Sequence, residues 1–257
     1  MKQIFIIIGL LLSGLIYGQE TKTTDFLTEI TKYDISDLWT LKKFRTEFEG
    51  DTSWIERLEP FGYIGENYQR FYIHFTSVIQ NPNNRLEYFV YGKTRVKTNI
   101  CSFQGLIKIN ESKTYNDSEI PSVKQGFVLG NYEFYEDNDQ KGAGFLKGKF
   151  RTDFYIDKNG QIKYNSLMFI ADGFKNNQFE GTWTGYKSND SKKCNWGDYR
   201  IPDSKNLDCG AGEFGVSDKY VSNGWIGYMI SNGASPDRMD IEGAKKAEKE
   251  KWWIDKE

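Results

Sequence analysis

The sequence predicts an all-β fold, an antiparallel meander forming a barrel or, as the alternative, a two-sheet sandwich, with a short C-terminal helix. Three observations predict it. Side-chain character alternates with a period of two from Leu38 onward, the spacing that sends successive strand residues to opposite faces. Aromatic residues make up 16% of the 257-residue chain, with 16 Tyr and 18 Phe, and such rings suit half-buried pleated surfaces. Turn-forming Asn, Asp and Gly cluster between the alternating runs.

The N-terminus reads as an export leader over residues 1–18. Lys2 gives a positive start, the run from Ile4 to Ile16 is apolar apart from Gly9, Ser13 and Gly14, and Gly18 supplies a small residue before Gln19. The run is too short for a comfortable span of ~30 Å of hydrocarbon, which takes about 20 apolar residues. Ile16 is larger than the residue usual near such a cut, so an uncleaved anchor stays as the alternative. No Cys follows the run, which argues against lipid attachment, and no second hydrophobic stretch occurs. The expectation is a bacterial periplasmic or secreted protein with no transmembrane span after cleavage. Residues 19–34 form a lead-in, a short helix or ordered segment around Phe26, Leu27 and Ile30. Residues 35–257 form a single β domain, a length such domains commonly reach.

The strands follow in order. Phe71, Ile73 and Phe75 alternate with Tyr72, His74 and Thr76. Tyr88, Val90 and Gly92 alternate with Phe89, Tyr91 and Lys93, and the run continues through Val96 to Ile100. From Leu146 to Ile156, Leu146, Gly148, Phe150, Thr152, Phe154 and Ile156 share one face, with Lys147, Lys149, Arg151, Asp153 and Tyr155 on the other. Asn159-Gly160 then separates this run from Ile162 and Tyr164, the strongest short-range hairpin signal in the chain. Further turn chemistry lies at 81–84, at 137–141 and at Asn176-Asn177.

A weak echo of aromatic, glycine and large residue recurs as Phe103/Gly105/Ile107, Phe127/Gly130/Tyr132, Phe145/Gly148/Phe150 and Phe179/Gly181/Trp183. Glycine inside a strand marks a bend, a bulge or close approach of a neighbour, and a strongly coiled or closed sheet requires such points. The spacing is irregular, so no fixed repeat unit is implied. At the C-terminus, Ser235 and Pro236 read as N-cap and first helical position of a helix over about 236–254. Ala244 to Glu250 are good helix formers. Trp252 and Trp253 cannot both face one way on a helix, so at least one is expected to pack against the β domain.

Chemistry is sparse. Cys194 and Cys209 are the candidate disulfide, contributing roughly 3 kcal/mol if formed, with Cys101 left over; the alternative is three unpaired thiols. The lone His74 sits mid-strand, which excludes most hydrolytic triads and multi-imidazole zinc sites. No phosphate loop or dinucleotide fingerprint occurs, and Gly210, Gly212 and Gly215 read as a flexible loop. No cofactor and no metal is expected; Asp198, Asp203 and Asp208 lack the spacing of a calcium loop. A formal net charge of −2 argues against nucleic acid as a partner. Asp153, Asp172, Glu180, Asp198 and Asp208 lie on or beside predicted strands, and two of them a few ångströms apart would suit glycan hydrolysis.

The tripeptide Gly181-Thr182-Trp183, set among long meandering strands, resembles the Gly-x-Trp signature of lipocalins and related calycins, although it falls two-thirds of the way along the chain rather than near its start. The resemblance implies a β-barrel and no particular ligand residues. Taken together, the sequence points to a non-enzymatic binding or interaction protein for an apolar or amphipathic small ligand, a glycan or an envelope protein. The alternatives are a carboxylate-dependent glycan hydrolase, a carbohydrate-binding envelope protein, or a structural envelope component with a filled interior.

Overall fold

A computed structural model describes residues 22–48, 51–117, 120, 123–233 and 240–254. The export leader over 1–18 and the capping pair Ser235-Pro236 lie outside the described residues. The lead-in contributes strand β1 (Thr23–Asp25) and helix α1 (Leu27–Ile30); helix α2 (Asp37–Thr40) follows, so Leu38 belongs to a helical turn rather than to the first strand. A hairpin of β2 (Lys43–Phe48) and β3 (Asp51–Glu56) forms a separate two-stranded sheet. The main sheet follows as β4 (Phe61–Ile64), β5 (Gln69–Gln80), β6 (Glu87–Val96), β7 (Asn99–Tyr115), β8 (Lys124–Glu136), β9 (Gly144–Ile156), β10 (Ile162–Tyr164), β11 (Asn176–Gly185) and β12 (Ser191–Asp198).

Each strand from β4 to β9 pairs antiparallel with the next, β9 then pairs with β11, and β11 with β12. Finally β12 returns to β4, from Cys194 opposite Ile64 to Gly197 opposite Phe61. Eight strands therefore complete one ring of hydrogen bonds in chain order, an up-and-down arrangement, with β1 added beside β7. Strand β10 stands outside this ring as the short arm of the hairpin expected at Asn159-Gly160, with Gly160 at φ 75°. The run expected to continue from Val96 to Ile100 instead turns at Lys97 and Thr98, with Lys97 at φ 55°, and begins β7. Asn176 and Asn177 are not a turn either. They form a buried irregularity in β11, Asn177 at φ 47°, where the register to β12 shifts before Phe179.

The echo of glycine and aromatic residues is explained by the ring's interior. Gly130 lies opposite Phe150 across the β8–β9 ladder, and a Cβ on it would stand 2.6 Å from that ring and 1.9 Å from the Lys108 carbonyl oxygen. Gly92 is related in the same way to Phe103 and the His74 carbonyl oxygen. Inward glycine on one strand thus makes room for an inward ring on the next. The space so made is filled: Tyr132, Phe134, Phe179 and Trp196 are almost wholly buried, with Tyr132 and Phe179 each 5.0 Å from Trp196, the latter pair stacked at 11°. Helix α2 drives Trp39 into the same core, 5.1 Å from Tyr88 and 5.9 Å from Phe150, with its Nε1 donating to Thr152 Oγ1 at 2.9 Å.

A second cluster covers the outer face of β4. Phe61 and Tyr63 pack with Ile201, Leu207, Phe214, Tyr220 and Trp225 from the segment after β12, which ends in helix α3 (Ile226–Ser231). Helix α4 (Ile241–Glu248) follows, shorter than the 236–254 expected, with Asp240 accepting from Gly243 N as its cap. Arg70 holds it by a two-pronged ion pair to Glu248, while its guanidinium lies 4.4 Å from the Tyr72 ring and 5.0 Å from Trp225. Because α4 stops before the two tryptophans, both reach the ring. Trp252 meets Tyr72 edge-on and Trp253 stacks on His74 at 3.8 Å.

The disulfide expectation does not hold. Cys194 points into the ring interior and is fully buried, whereas Cys209 is exposed in the loop beyond β12; all three cysteines are free. Enclosure of Cys194 among the core rings, with Cys209 in an exposed loop, leaves the two thiols unpaired. A maleimide probe should accordingly modify one thiol, Cys209, in the native protein and three after unfolding, read by intact mass. Gly130→Ala should lower stability by about 1–3 kcal/mol or more, since both the ring and the carbonyl must move; the shift in urea midpoint measures it.

Candidate functional site

Three regions of the molecule stand out, and two of them are internal supports. In the first, Asp198 at the end of β12 is almost wholly buried and accepts from Arg57 Nε and a second Arg57 nitrogen (3.0 and 2.8 Å), Tyr164 hydroxyl (2.9 Å) and Asn177 Nδ2 (2.8 Å). Burial pulls the Arg57 pKa down, but the charge and hydrogen bonds of Asp198 outweigh it and raise the net value. Arg57 also donates to the Trp39 carbonyl and Asn177 to the Leu38 carbonyl, so the cluster locks α2 against the ring. Four donors thus converge on the buried Asp198 carboxylate, three on Oδ2 and one on Oδ1.

The second is Glu136 at the end of β8. Its carboxylate is buried without a cationic partner, and accepts from the Thr94 hydroxyl, from Gly144 N at 2.8 Å and from Trp183 Nε1 at 2.9 Å. Burial raises its pKa against the lowering effect of these three donors. The Gly181-Thr182-Trp183 segment lies here, in β11, with its indole anchored on this carboxylate. Burial, with the Glu136 charge second, also pushes the neighbouring Cys101 thiol up to about 11. Cys194 is raised as well, chiefly by burial.

The carboxylates marked in the sequence fall into separate places: Asp198 is buried, and Glu180, Asp203 and Asp208 line a groove of about 830 Å³ together with Lys149, Lys175 and Arg200. Asp153 and Asp172 line one groove of about 500 Å³ together with Arg151 and Lys175. Asp153, however, is gripped by Arg151 through Nε and a second nitrogen at 2.6–3.2 Å. Glu180 pairs with Lys149 at 3.7 Å on another part of the surface, Asp203 with Lys193, and Asp208 with Arg200 at 2.6 Å. His74 Nδ1 lies 3.0 Å from Glu59 beneath Trp253, a structural setting. Among the described residues no three His, Cys, Asp or Glu gather as metal ligands, and no helix is long and apolar enough to cross a membrane.

The third region is open. On the outer face of the ring the register sets Ile79 beside Phe89 and Phe89 beside Leu106, followed by Glu133 and Lys147. The adjacent row runs Ser77, Tyr91, Gln104, Tyr135 and Phe145. Ile79, Phe89, Tyr91, Leu106 and Tyr135 are between 39% and 61% exposed, so five large apolar side chains form one patch facing solvent. A groove of about 860 Å³ runs over them, with Gly105 in its floor and Glu87, Lys108 and Asn131 along its rim. The rim charges are matched: Glu87 with Lys108 at 3.6 Å, and Glu133 with Lys147 at 3.2 Å. The Tyr135 hydroxyl donates to Glu133 at 2.6 Å, and with Lys147 it lowers the Glu133 pKa.

The sequence held a signal for this face that alternation alone obscures. An antiparallel sheet with one wet side shows polar residues facing outward, yet Tyr88 to Tyr91 is four large residues in a row, apolar on both sides of β6. Tyr88 and Val90 fill the interior; Phe89 and Tyr91 stay half-exposed on the outer face.

Glu136 yields a measurable pH effect. A carboxyl with a raised folded pKa contributes stability below its unfolded pKa and loses it as pH rises through the folded value. Glu136→Gln should therefore match the parent near pH 4 and exceed it in stability near pH 7, with the Gln amide donating to Thr94 in place of the acid proton. Paired urea titrations at the two pH values check the sign.

No protein-family model matches the chain, and neither the curated proteins nor the solved structures contain a significant match to it.

Proposed function

We propose that the chain is an exported, non-enzymatic binding protein that takes an apolar or amphipathic small ligand on the outer face of β5–β9. The carrying observation is the patch of five half-exposed apolar side chains over one groove, laid on a rigid ring. Isolated exposed apolar residues are ordinary, but a contiguous set rimmed by polar groups marks an interaction site. The interior supports the outside position, because stacked rings occupy the space in which a lipocalin would carry its cargo. A likeness to lipocalins is proposed for the architecture alone, with the ring of eight strands as its support, and not for the use of the interior. The leader over residues 1–18 supports a periplasmic or secreted location.

Two measurements test the reading. Cell fractionation with N-terminal sequencing should find the protein outside the cytoplasm, beginning at Gln19. Native mass spectrometry and fluorescence titration with an amphiphilic naphthalene dye should show saturable binding that Tyr91→Ala and Phe89→Ala weaken while circular dichroism stays unchanged. Dye binding insensitive to both substitutions overturns the outer-face assignment, and an uncleaved chain in the cytoplasm overturns the export assignment.

A further inference from the structure

The lining of the groove constrains the chemistry of its ligand, an inference that rests on binding at the outer face. Three observations bear on it. The first is openness: water reaches the far side of anything lying on Ile79, Phe89, Tyr91, Leu106 and Tyr135, each of which is at least 39% exposed. An alkyl chain laid there would keep one side wet and recover only part of the ~0.8 kcal/mol that burying each CH₂ yields. A ligand with one apolar and one hydroxylated side loses nothing in this geometry.

The second is polar supply. Gln104 stands between Tyr91 and Tyr135 in the same cross-strand row, and Asn131 stands beside Lys108 on the rim. Among the described residues neither side-chain amide takes part in a hydrogen bond, so each offers two donors and an acceptor to an incoming group. Rings alternating with free amides provide stacking surfaces for the C–H faces of pyranose units and partners for their hydroxyls.

The third is charge. Glu87, Lys108, Glu133 and Lys147 neutralise one another within the face, and Lys149 at its next row is paired with Glu180. The groove therefore presents no uncompensated charge to a uronate, a sulfate, a phosphate or a lipid headgroup. We infer that the ligand is a neutral oligosaccharide, lying across β6–β8 with sugar rings on Tyr91 and Tyr135 and hydroxyls on Gln104 and Asn131.

The test is calorimetric titration of the purified full chain with three sets of probes: neutral oligosaccharides (fragments of β-glucan, xylan, mannan and α-glucan), charged ones (oligouronates, heparin fragments), and lysophosphatidylcholine below its micelle concentration. Expected are saturable binding of at least one neutral oligosaccharide, insensitivity to added salt, and about tenfold weaker binding in Tyr91→Ala, Tyr135→Ala or Gln104→Ala. Trp54→Ala, on the separate β2–β3 hairpin, should leave it unchanged. If lysophosphatidylcholine or a charged glycan binds through Tyr91 and Tyr135 while every neutral oligosaccharide fails, this inference falls and the outer-face reading stands. If no probe binds, or if the face proves to hold a second copy of the chain, with Tyr91→Ala converting a dimer to a monomer in sedimentation, both fall.

Discussion

Interior space in this protein is allocated by pairing absence with bulk. Several inward rings face an inward glycine on the neighbouring strand, as Phe150 faces Gly130 and Phe103 faces Gly92, while Phe179 is flanked by Phe150 and Trp196. Eight strands curled into a closed circle leave a narrow core, and a core rich in Phe, Tyr and Trp overfills it unless some positions have no side chain at all. This complementarity fixes register as well as volume. A slip by one residue would turn a strand's inward rings to the outer face and set Gly130 against Lys149 or Arg151 instead of Phe150. The packing of Trp39, the position of α2 and the buried Asp198–Arg57 support all presuppose a ring of this shape.

With the interior filled, the outer surface is where the ring's character varies, and that surface is uneven. Around β4 it is covered by the Phe61 and Tyr63 cluster, and around the start of β5 and end of β6 by α4 and the two C-terminal tryptophans. Over the rest of β5–β8 none of the described residues covers it. Covered and bare regions use the same residue types, large aromatics facing out of a strand. What separates them is whether a later part of the chain returns to cover them.

Much of the fold was legible in the sequence because period-two alternation, Asn159-Gly160 and the glycine–aromatic echo are local consequences of a coiled antiparallel sheet. Closure was less so. Nothing near Phe61 to Ile64 or Ser191 to Asp198 announces that these strands meet, since the pairing joins positions more than a hundred residues apart. Leu38, Asn176 and Asn177 misled for a related reason: short apolar or amide-rich stretches take helical, bulged or turned forms according to what packs on them. Of the site, Phe89 and Tyr91 were visible as residues and not as a surface, for a patch arises only when register sets Ile79, Leu106 and Tyr135 beside them. The Cys194–Cys209 pairing failed because proximity in sequence says nothing about whether each thiol ends among the core rings or in an exposed loop.

The junction of β4 and β12 has the character of a zip fastener's last teeth. It is made of four residue pairs, where the β8–β9 ladder has twelve, and it joins the first ring strand to the last. Contacts so distant along the chain are slow to form, so the growing cylinder stays open until nearly two hundred residues have emerged, with β4 and β11 offering unsatisfied backbone groups to any passing strand. The packing of Phe214, Tyr220 and Trp225 over Phe61 and Tyr63 then acts as a clasp. A chain interrupted before residue 191 would retain most of its core rings and still be a cylinder with two raw edges, open to association with its own kind.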